Sequence, residues 1–499
     1  MKIVVLNGSP KGEVSVTRQY VLYLEKAFPE HRFVVLPVAQ QSRKLEKDPA
    51  AFDNVMEEVR SADGVIWAFP LYVLLVCSQY KRFIDLVAER GATAAFHGTH
   101  AVTLSTSINY HDWNAHAYMR GVCEDFGMKF VGIHSARMDD IAKQEERDRL
   151  RHFAEELFAA IETRAEYPRT TAVLPTAPRR PYRAAGTPVQ TVDARGRNIV
   201  ILTDARPGQE RLQAMIDRLA GAWGGAARVV NLHDLDIKGG CQGCLRCGAE
   251  YRCAYTGKDG FIDFYESVLV PADIIVCAGA VSARQLSWKW REFFDRSFFN
   301  THTPSLVGKQ LAFLVSGPLT LLPELRETYE AWTELQQSNL CAFLSDEAED
   351  GAVREAALDA LAARLVRSAE AAYVRPRTFL GIAGMKIFRD DIWSELRVVF
   401  RADHKAYKQR GYYDFPQRRI GHRVLMGLAY FVTGLPGIRS RFPSMIREQM
   451  IVPMHRAALK GTADAAKRGA ADAALHGERR RPPEATGGDT TREVAQTYV

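Results

Sequence analysis

The stretch Lys2-Ile3-Val4-Val5-Leu6-Asn7-Gly8-Ser9-Pro10-Lys11-Gly12 runs from a short apolar segment into a loop of small and polar residues. Residues 17–28 then carry apolar side chains at helical spacing. A strand, a Gly/Ser loop and a helix in this order present backbone N–H groups and a helix N-terminus to a phosphate group. Ser9, Ser15 and Thr17 add hydroxyl donors. The alternative is a plain tight turn, which also favours Gly, Ser and Pro.

The remainder of residues 1–165 alternates between strand and helix patterns. Strands are predicted at 33–36, 64–69, 100–104 and 129–133, and helices at 51–60, 78–89, 115–126 and 143–162. This alternation predicts a doubly wound α/β domain with a parallel sheet. Ligands of such sheets bind at the carboxyl ends of the strands. The loops there, after the third and fourth strands, contain Pro70, Leu71, Tyr72, Ser105 and Thr106.

The same order of elements returns after a linker at 166–197 that is rich in Pro, Arg, Thr and Ala. Strand patterns at 198–203, 227–231, 273–277, 310–315 and 341–344 indicate a second copy at 198–373. Its first loop lacks Gly-Ser-Pro and carries Asp204 and Glu210, whose charge disfavours phosphate. The sequence therefore predicts that only the first copy binds a phosphate group.

A cysteine loop follows the second strand of the second copy, and the first copy has no counterpart. Its four cysteines fall within thirteen residues, at Cys241, Cys244, Cys247 and Cys253. Each iron of a cubane iron–sulfur cluster takes one Cys sulfur, and this spacing lets four thiolates converge from a single loop. A [4Fe–4S] cluster is the favoured interpretation. A zinc site, a disulfide and an uncommitted cysteine-rich loop are the alternatives.

The loop Asn7-Gly8-Ser9-Pro10, the segment Phe69-Pro70-Leu71-Tyr72 and the helix Gln79–Asp85 resemble the flavodoxin-like NAD(P)H-dependent FMN reductase family. The resemblance implies two flavodoxin-like doubly wound five-stranded sheets in tandem, followed by a helical C-terminal extension. It also implies FMN as the cofactor, with its phosphate in the first loop and its ring beside Tyr72, although a packed aromatic is the alternative for Tyr72. The predicted FMN-binding residues are Ser9, Lys11, Ser15, Val16, Thr17, Pro70, Leu71, Tyr72, Ser105 and Thr106.

Within this family, iron–sulfur flavoproteins carry the same Cys-x2-Cys-x2-Cys-x5-Cys run and are similar in pairing FMN on one subunit with a cluster on its partner. The present chain resembles such a pair fused into one polypeptide. It departs from many relatives after the last cysteine, where Lys258-Asp259-Gly260-Phe261 stands in place of paired acidic residues and Met. Some relatives also carry these cysteines without a cluster.

Residues 374–460 form a predicted basic helical extension, and 461–499 a predicted disordered tail. Arg375 to Lys460 holds 17 Lys and Arg against 6 Asp and Glu, a net charge of +11 within a chain of +7. The apolar segment within 418–441 has basic flanks, which suit peripheral contact with an anionic membrane. Docking on the protein itself is the favoured alternative. No motif that reads nucleic acid accompanies the charge, so nucleic acid is not a predicted partner.

The compartment predicted for this chain is the reducing cytoplasm. The N-terminus enters a strand pattern directly, so no signal peptide is expected. Four isolated cysteines have apolar neighbours and are predicted to be reduced core thiols; they are Cys77, Cys123, Cys277 and Cys341. No apolar run approaches the ~20 residues of a spanning helix.

These patterns predict an FMN-dependent oxidoreductase that passes electrons between a reduced donor and an acceptor through FMN and a [4Fe–4S] cluster. The donor is expected to be NAD(P)H or a ferredoxin-like protein, although no Gly-x-Gly-x-x-Gly fingerprint follows either first strand. No general acid or base is predicted, and a homo-oligomer is compatible with the sequence. One alternative is an NAD(P)H-dependent FMN or quinone reductase without a cluster. The other is a non-catalytic flavodoxin-like binding module.

Overall fold

The computed structural model describes residues 1–175, 190–414, 420–433, 435–439, 452 and 454–455. Residues 1–413 form one compact unit, and residues 414–499 are assigned to a second. The predicted tail and residues 176–189 of the predicted linker lie outside the described residues, as do Arg418, Arg419 and Arg441.

The first sheet contains five parallel strands in the order β2-β1-β3-β4-β5. They are β1 Lys2–Asn7, β2 Arg32–Leu36, β3 Gly64–Pro70, β4 His100–Ser107 and β5 Lys129–Arg137. The helices are α1 Val16–Ala27, α2 Ser42–Lys47, α3 Pro49–Arg60, α4 Ser78–Glu89, α5 Asp112–Asp125 and α6 Gln144–Glu162.

Helices cover both faces of this sheet because successive side chains of a strand point to opposite faces. Val4 and Leu6 of β1 pack in the same core as residues of α3, α4 and α5. Ile3 and Val5 pack in the opposite core, with residues of α1 and α6. Burial on both faces explains why the strands are continuous apolar runs.

The second sheet repeats this plan in the order β11-β10-β8-β6-β7. Its strands are β6 Ile199–Thr203, β7 Ala227–Asn231, β8 Ile274–Ser282, β9 Gln285–Leu286, β10 Gln310–Ser316 and β11 Asn339–Ser345. The helices are α7 Glu210–Ala222, α8 Cys247–Glu250, α9 Phe261–Phe264, α10 Trp288–Ser297, α11 Pro323–Leu335 and α12 Gly351–Glu370.

The predicted tandem pair of parallel sheets is confirmed, with one difference in the second copy. The two-residue strand β9 pairs antiparallel with β8 and makes that sheet six-stranded rather than five-stranded. Ala283 and Arg284 connect the two strands with φ values of 38° and 66°. Positive φ at both central residues of a two-residue turn suits a tight hairpin. Neither residue is Gly, Asn or Asp, so the sequence carried no hairpin signal.

Two helices after the second sheet, α13 Phe379–Trp393 and α14 Arg401–Gln409, belong to the first unit. Leu380 and Phe388 of α13 pack against the core of the second sheet. Phe400 and Tyr407 form a small cluster of their own with Ile392 and Tyr413. The extension is therefore an integral part of this unit as far as Tyr413.

The second unit contains α15 Ile420–Thr433 and α16 Pro436–Arg439. Large apolar side chains of α15 are exposed, among them Leu428, Tyr430 and Phe431. Within the described residues, no helix combines the length and apolar character needed to cross a membrane. Whether α15 meets a membrane surface or docks on protein stays a prediction.

Candidate functional site

The loops after β1, β3 and β4 converge at the carboxyl edge of the first sheet. The Leu71 backbone N–H donates to the carbonyl oxygen of Thr106 at 3.0 Å. The hydroxyls of Thr17 and Thr106 are 2.7 Å apart, which joins the start of α1 to the end of β4. The structure thus brings together the three loops whose residues were predicted to bind FMN.

The first loop has the geometry that a phosphate group requires. Ser15 caps α1, and its Oγ accepts a hydrogen bond from the Arg18 N–H at 3.0 Å. The first N–H groups of a helix have no intrahelical acceptor, and the helix dipole favours an anion beside them. The Asn7 side-chain amide is buried in the same region without an acceptor. These groups fit the phosphate of FMN.

Hydrogen bonds of Ser9 and Lys11 within this loop fix its conformation. The Ser9 N–H donates to Asn7 Oδ1 at 3.0 Å, and Ser9 Oγ accepts from the Lys11 N–H at 3.3 Å. Gly12 follows with φ of 60°, and a Cβ there would overlap the Gln40 side-chain amide. A glycine is therefore required at position 12 for two independent reasons.

Ser105 and Thr106 are buried, and their hydroxyls have partners inside the protein. Ser105 Oγ lies 2.8 Å from His116 Nε2, and His116 Nδ1 lies 2.7 Å from Thr103 Oγ1. Burial lowers the pKa of His116 to about 4. His116 is therefore a neutral ring that holds Ser105 in place. The sequence analysis missed it because His116 lies on α5, whose apolar pattern gave no sign that it packs under β4.

The cysteine loop of the second copy lies directly on the loops of the first copy that are predicted to bind FMN. A Cβ at Gly243 would overlap the Tyr72 hydroxyl and come within 2.8 Å of Lys11 Cε. Gln79 of α4 donates from its side-chain amide to the Cys241 carbonyl oxygen at 3.1 Å. The Tyr72 hydroxyl itself is buried without a hydrogen-bond partner.

All four loop cysteines line one small cavity of about 20 Å³, with Asp295 and Arg296 among the other lining residues. Across the described residues, no three His, Cys, Asp or Glu side chains are grouped to hold a metal ion. A cubane cluster uses four separate iron atoms, so its ligands stand farther apart than those of a single ion. The four thiols match a [4Fe–4S] cluster in number and ligand type, but the cavity between them is too small to hold one, and no metal-ion site is formed among the described residues.

Two thiols of this loop, Cys241 and Cys247, have a raised pKa. Burial, together with the neighbouring Cys253 and Cys244, raises the pKa of Cys247 to about 12. Burial also raises the pKa of Cys241 far above its usual range. A bound metal deprotonates its thiol ligands. A metal bound by these two thiols would therefore displace their protons.

The C-terminal extension supports the cysteine loop from the other side. A Cβ at Gly248 would overlap the Val399 carbonyl oxygen, just before α14. Tyr251 Oη lies 2.7 Å from Thr303 Oγ1, which donates to Asp403 of α14 at 2.7 Å. The loop is thus held between the first copy and the extension.

Helices α4 and α10 join the two copies through reciprocal caps. The Ser78 N–H at the start of α4 donates to Asp295 Oδ2 at 2.6 Å, and the Trp288 N–H at the start of α10 donates to Asp85 Oδ2 at 2.9 Å. Each carboxylate also pairs with a buried cation one turn earlier on its own helix. The pairs are Lys81–Asp85 and Arg291–Asp295.

The corresponding loops of the second copy are filled by the protein itself. Ser287 Oγ donates to the buried Asp204, and burial raises the pKa of that carboxyl to about 6. Asp346 accepts from Arg211 at 2.8 Å and from Ser316 at 2.7 Å. Of the two carboxylates predicted in the first loop of the second copy, Asp204 is buried beside Ser287, whereas Glu210 is exposed at the start of α7.

Comparison with family models matched residues 1–157 to a family described as having a flavodoxin-like fold. The first copy is a flavodoxin-like domain. Comparison with curated proteins gave no match.

Solved structures similar to part of the chain include three flavoproteins or their relatives. The apo form of an NADH:FMN oxidoreductase (EMOB) is 19% identical over 32% of this chain and 89% of its own, with a TM-score of 0.28. The NAD(P)H:acceptor oxidoreductase FerB from Paracoccus denitrificans is 17% identical over 32% of this chain and 97% of its own, with a TM-score of 0.28. General stress protein 14 from Treponema denticola, in complex with FMN, is 13% identical over 32% of this chain and 98% of its own, with a TM-score of 0.25.

The contact between α4 and α10 was not predicted from the sequence. Lys81 and Asp85 have the same spacing as Arg291 and Asp295, and each set lies on the helix after the third strand of its copy. The repeat marks equivalent positions in the two copies, but the spacing alone does not show that the two helices pack together. The four isolated cysteines are buried, which confirms that they belong to the core.

Proposed function

We propose that the chain is an FMN-dependent oxidoreductase in which the cysteine loop of the second copy holds a [4Fe–4S] cluster beside the flavin of the first. The observation that carries this proposal is the contact of Gly243, between two cysteines, with Tyr72 in a flavin loop. Residues that bind the two centres are then neighbours, as electron transfer between them requires.

Each part of the site has a distinct task in this proposal. Ser15 and the first N–H groups of α1 bind the FMN phosphate, Pro70 to Tyr72 hold the ring, and the neutral His116 keeps Ser105 in position. Bound FMN supplies chemistry with two electrons or a hydride, and a bound cluster supplies single-electron transfer. The four loop cysteines are the proposed ligands of the cluster.

The entry route for electrons is proposed to be the exposed edge of the cysteine loop. Cys244 is exposed, whereas the other three loop cysteines are partly buried. NAD(P)H or a ferredoxin-like protein remains the proposed donor, with a small molecule or a protein as acceptor. Residence in the cytoplasm, association into homo-oligomers and peripheral membrane contact through residues 418–441 remain proposals of the same kind.

The second candidate is an NAD(P)H-dependent FMN or quinone reductase without a cluster. Two observations favour it: the cavity between the cysteines has room for about one water molecule, and the described residues contain no group arranged around a metal ion. The loop must open to admit a cluster, whereas this candidate requires no such change.

The deciding experiment is the flavin, iron and sulfide content of protein purified without oxygen. One flavin with about four irons and four sulfides per chain supports the proposal. Flavin without iron supports the second candidate, and protein that takes up neither, even after reconstitution, contradicts both. Cys247→Ser should lose most of the iron while it keeps FMN. The matched control is Cys341→Ser, a buried thiol on β11 that should leave both contents unchanged.

A further inference from the structure

An open cavity of about 410 Å³ lies beside the cysteine loop, and it shares Cys253 and Ala254 with the smaller cavity between the thiols. Half of its lining residues are cations and none is a carboxylate; they are Arg246, Arg252, Cys253, Ala254, Thr256 and Lys258. The three cations are exposed. Asp259, which follows Lys258, is buried and pairs with Arg296 at 2.7 Å, so it does not neutralise this surface.

The cations of this cavity continue toward the first copy. Residues 238–258 contain four Lys and Arg residues against one Glu, a net charge of +3. Lys238 Nζ donates to the Lys258 carbonyl oxygen, and Arg43 of the first copy donates to the Lys238 carbonyl oxygen. Like charges that crowd one surface repel each other, so an anionic partner lowers the electrostatic free energy of this surface. We call these five cations the basic rim: Arg43, Lys238, Arg246, Arg252 and Lys258.

An exposed apolar residue lies next to the basic rim. Leu245 precedes Arg246 and is 45% exposed. Its φ of 60° is in the left-handed region, which a leucine rarely adopts. Its other neighbour, Cys244, is also exposed. A small apolar centre with charged residues around it is typical of protein interfaces, because the charges direct the encounter and the apolar group is buried in the complex.

The lining of the open cavity favours a protein partner over a free dinucleotide. Pockets that hold small organic ligands are lined mainly by apolar and aromatic side chains. Among the described residues that line this cavity, none is an aromatic residue on which a nicotinamide or adenine ring would stack. The cavity is also open to solvent, as a surface that receives another protein is.

We propose that the basic rim is the docking surface for an acidic electron-carrier protein that serves as the redox partner of the FMN site. The inference rests on the proposed function, because it needs a flavin in the first copy, but it does not require a cluster in the cysteine loop. Two reduced one-electron carriers are oxidised for each FMN that takes up two electrons and two protons. Complementary charge accelerates the encounter at low salt, and this advantage falls as ionic strength rises.

The test is the affinity of the full-length, FMN-loaded chain for a plant-type ferredoxin of net negative charge. Calorimetric titration at about 20 mM and about 200 mM NaCl should show binding at the lower salt that weakens at the higher. The double variant Arg246→Glu/Arg252→Glu should weaken this binding by about tenfold or more and keep the FMN content of the wild type. The matched control is Arg164→Glu/Arg228→Glu, which makes the same change in net charge at two other exposed arginines and should leave the affinity unchanged.

Three results would overturn the inference and leave the proposed function intact. They are FMN-loaded wild-type protein that does not bind the ferredoxin at low salt, equal weakening in the two double variants, and loss of NADPH binding in place of ferredoxin binding in Arg246→Glu/Arg252→Glu. Equal weakening would show that net charge alone attracts the carrier, and loss of NADPH binding would assign the surface to a dinucleotide. Wild-type protein that takes up no FMN, even after reconstitution, would overturn the proposed function and with it the inference.

Discussion

Replacement of Asp85 by Asn tests the contact that holds the two flavodoxin-like copies together. The side chains of Asp85 and Lys81 are both fully buried. Asp85 also accepts from the Trp288 N–H and from Ser282 Oγ, and Lys81 donates to the Ser282 carbonyl oxygen at 2.9 Å. The asparagine keeps the shape and an acceptor oxygen, so the change removes mainly the negative charge.

The expected cost is large because the substitution leaves the Lys81 ammonium buried without its counter-ion. Breaking one partner of a buried ion pair typically costs about 3–5 kcal/mol in the free energy of unfolding. An exposed pair on α6, Glu145 with Arg149, provides the comparison. Exposed pairs one helical turn apart contribute about 0.3–0.5 kcal/mol, so Glu145→Gln should change the stability by no more than that.

The cost should also depend on pH in a defined direction. Burial already lowers the pKa of Lys81, and Asp85 opposes that shift. Without Asp85 the folded-state pKa falls further below the unfolded value of about 10.4. The folded state then binds the proton more weakly than the unfolded state does, so stability increases as pH rises through this interval. The penalty of Asp85→Asn should therefore be smaller at alkaline pH than at neutral pH.

Urea unfolding followed by tryptophan fluorescence, at neutral and alkaline pH, measures these quantities. The reasoning is refuted if Asp85→Asn costs no more than Glu145→Gln at neutral pH. It is also refuted if the penalty grows toward alkaline pH, because that would place the lost stability on a group other than Lys81.

Three further outcomes are expected. Ser15→Ala removes the cap of α1 and should cost about 1 kcal/mol in unfolding free energy and weaken FMN retention, as equilibrium dialysis would show. Gly121→Ala forces a Cβ to within 2.5 Å of Arg284 Cδ and should lower the thermal midpoint, whereas Gly132→Ala, with nothing within 4 Å, should cost little. His116→Gln should reduce the loss of stability at acid pH. In the wild type, His116 has a pKa of about 4, so the free energy of unfolding falls by up to about 3 kcal/mol as pH decreases from about 6.5 toward 4. Urea midpoints across that range measure this loss in both proteins.

The elements of the two sheets were predictable because strand and helix patterns are local. A strand buried on both faces must be a continuous apolar run, as Gly64–Pro70 is. The apolar residues of Ser78–Glu89 recur at helical spacing, which the sequence shows directly. Strands β4, β5 and β8 extend beyond their predicted ends, into polar residues such as Ser105 to Ser107. Those extensions were not predicted, because pairing with neighbouring strands, rather than side-chain polarity, decides where a strand ends.

In the candidate site, too, local motifs were predictable and contacts between distant residues were not. Motif and spacing alone indicated a phosphate loop at Ser9 to Thr17 and a four-cysteine loop at Cys241 to Cys253, since each is a short segment whose chemistry is visible in its residue types. Only the structure shows that Gly243 lies against Tyr72. Only the structure shows that Asp85 and Asp295 each cap the other copy's helix. These contacts join residues far apart in the sequence, and their existence depends on how two separately folded sheets pack, which no local pattern encodes.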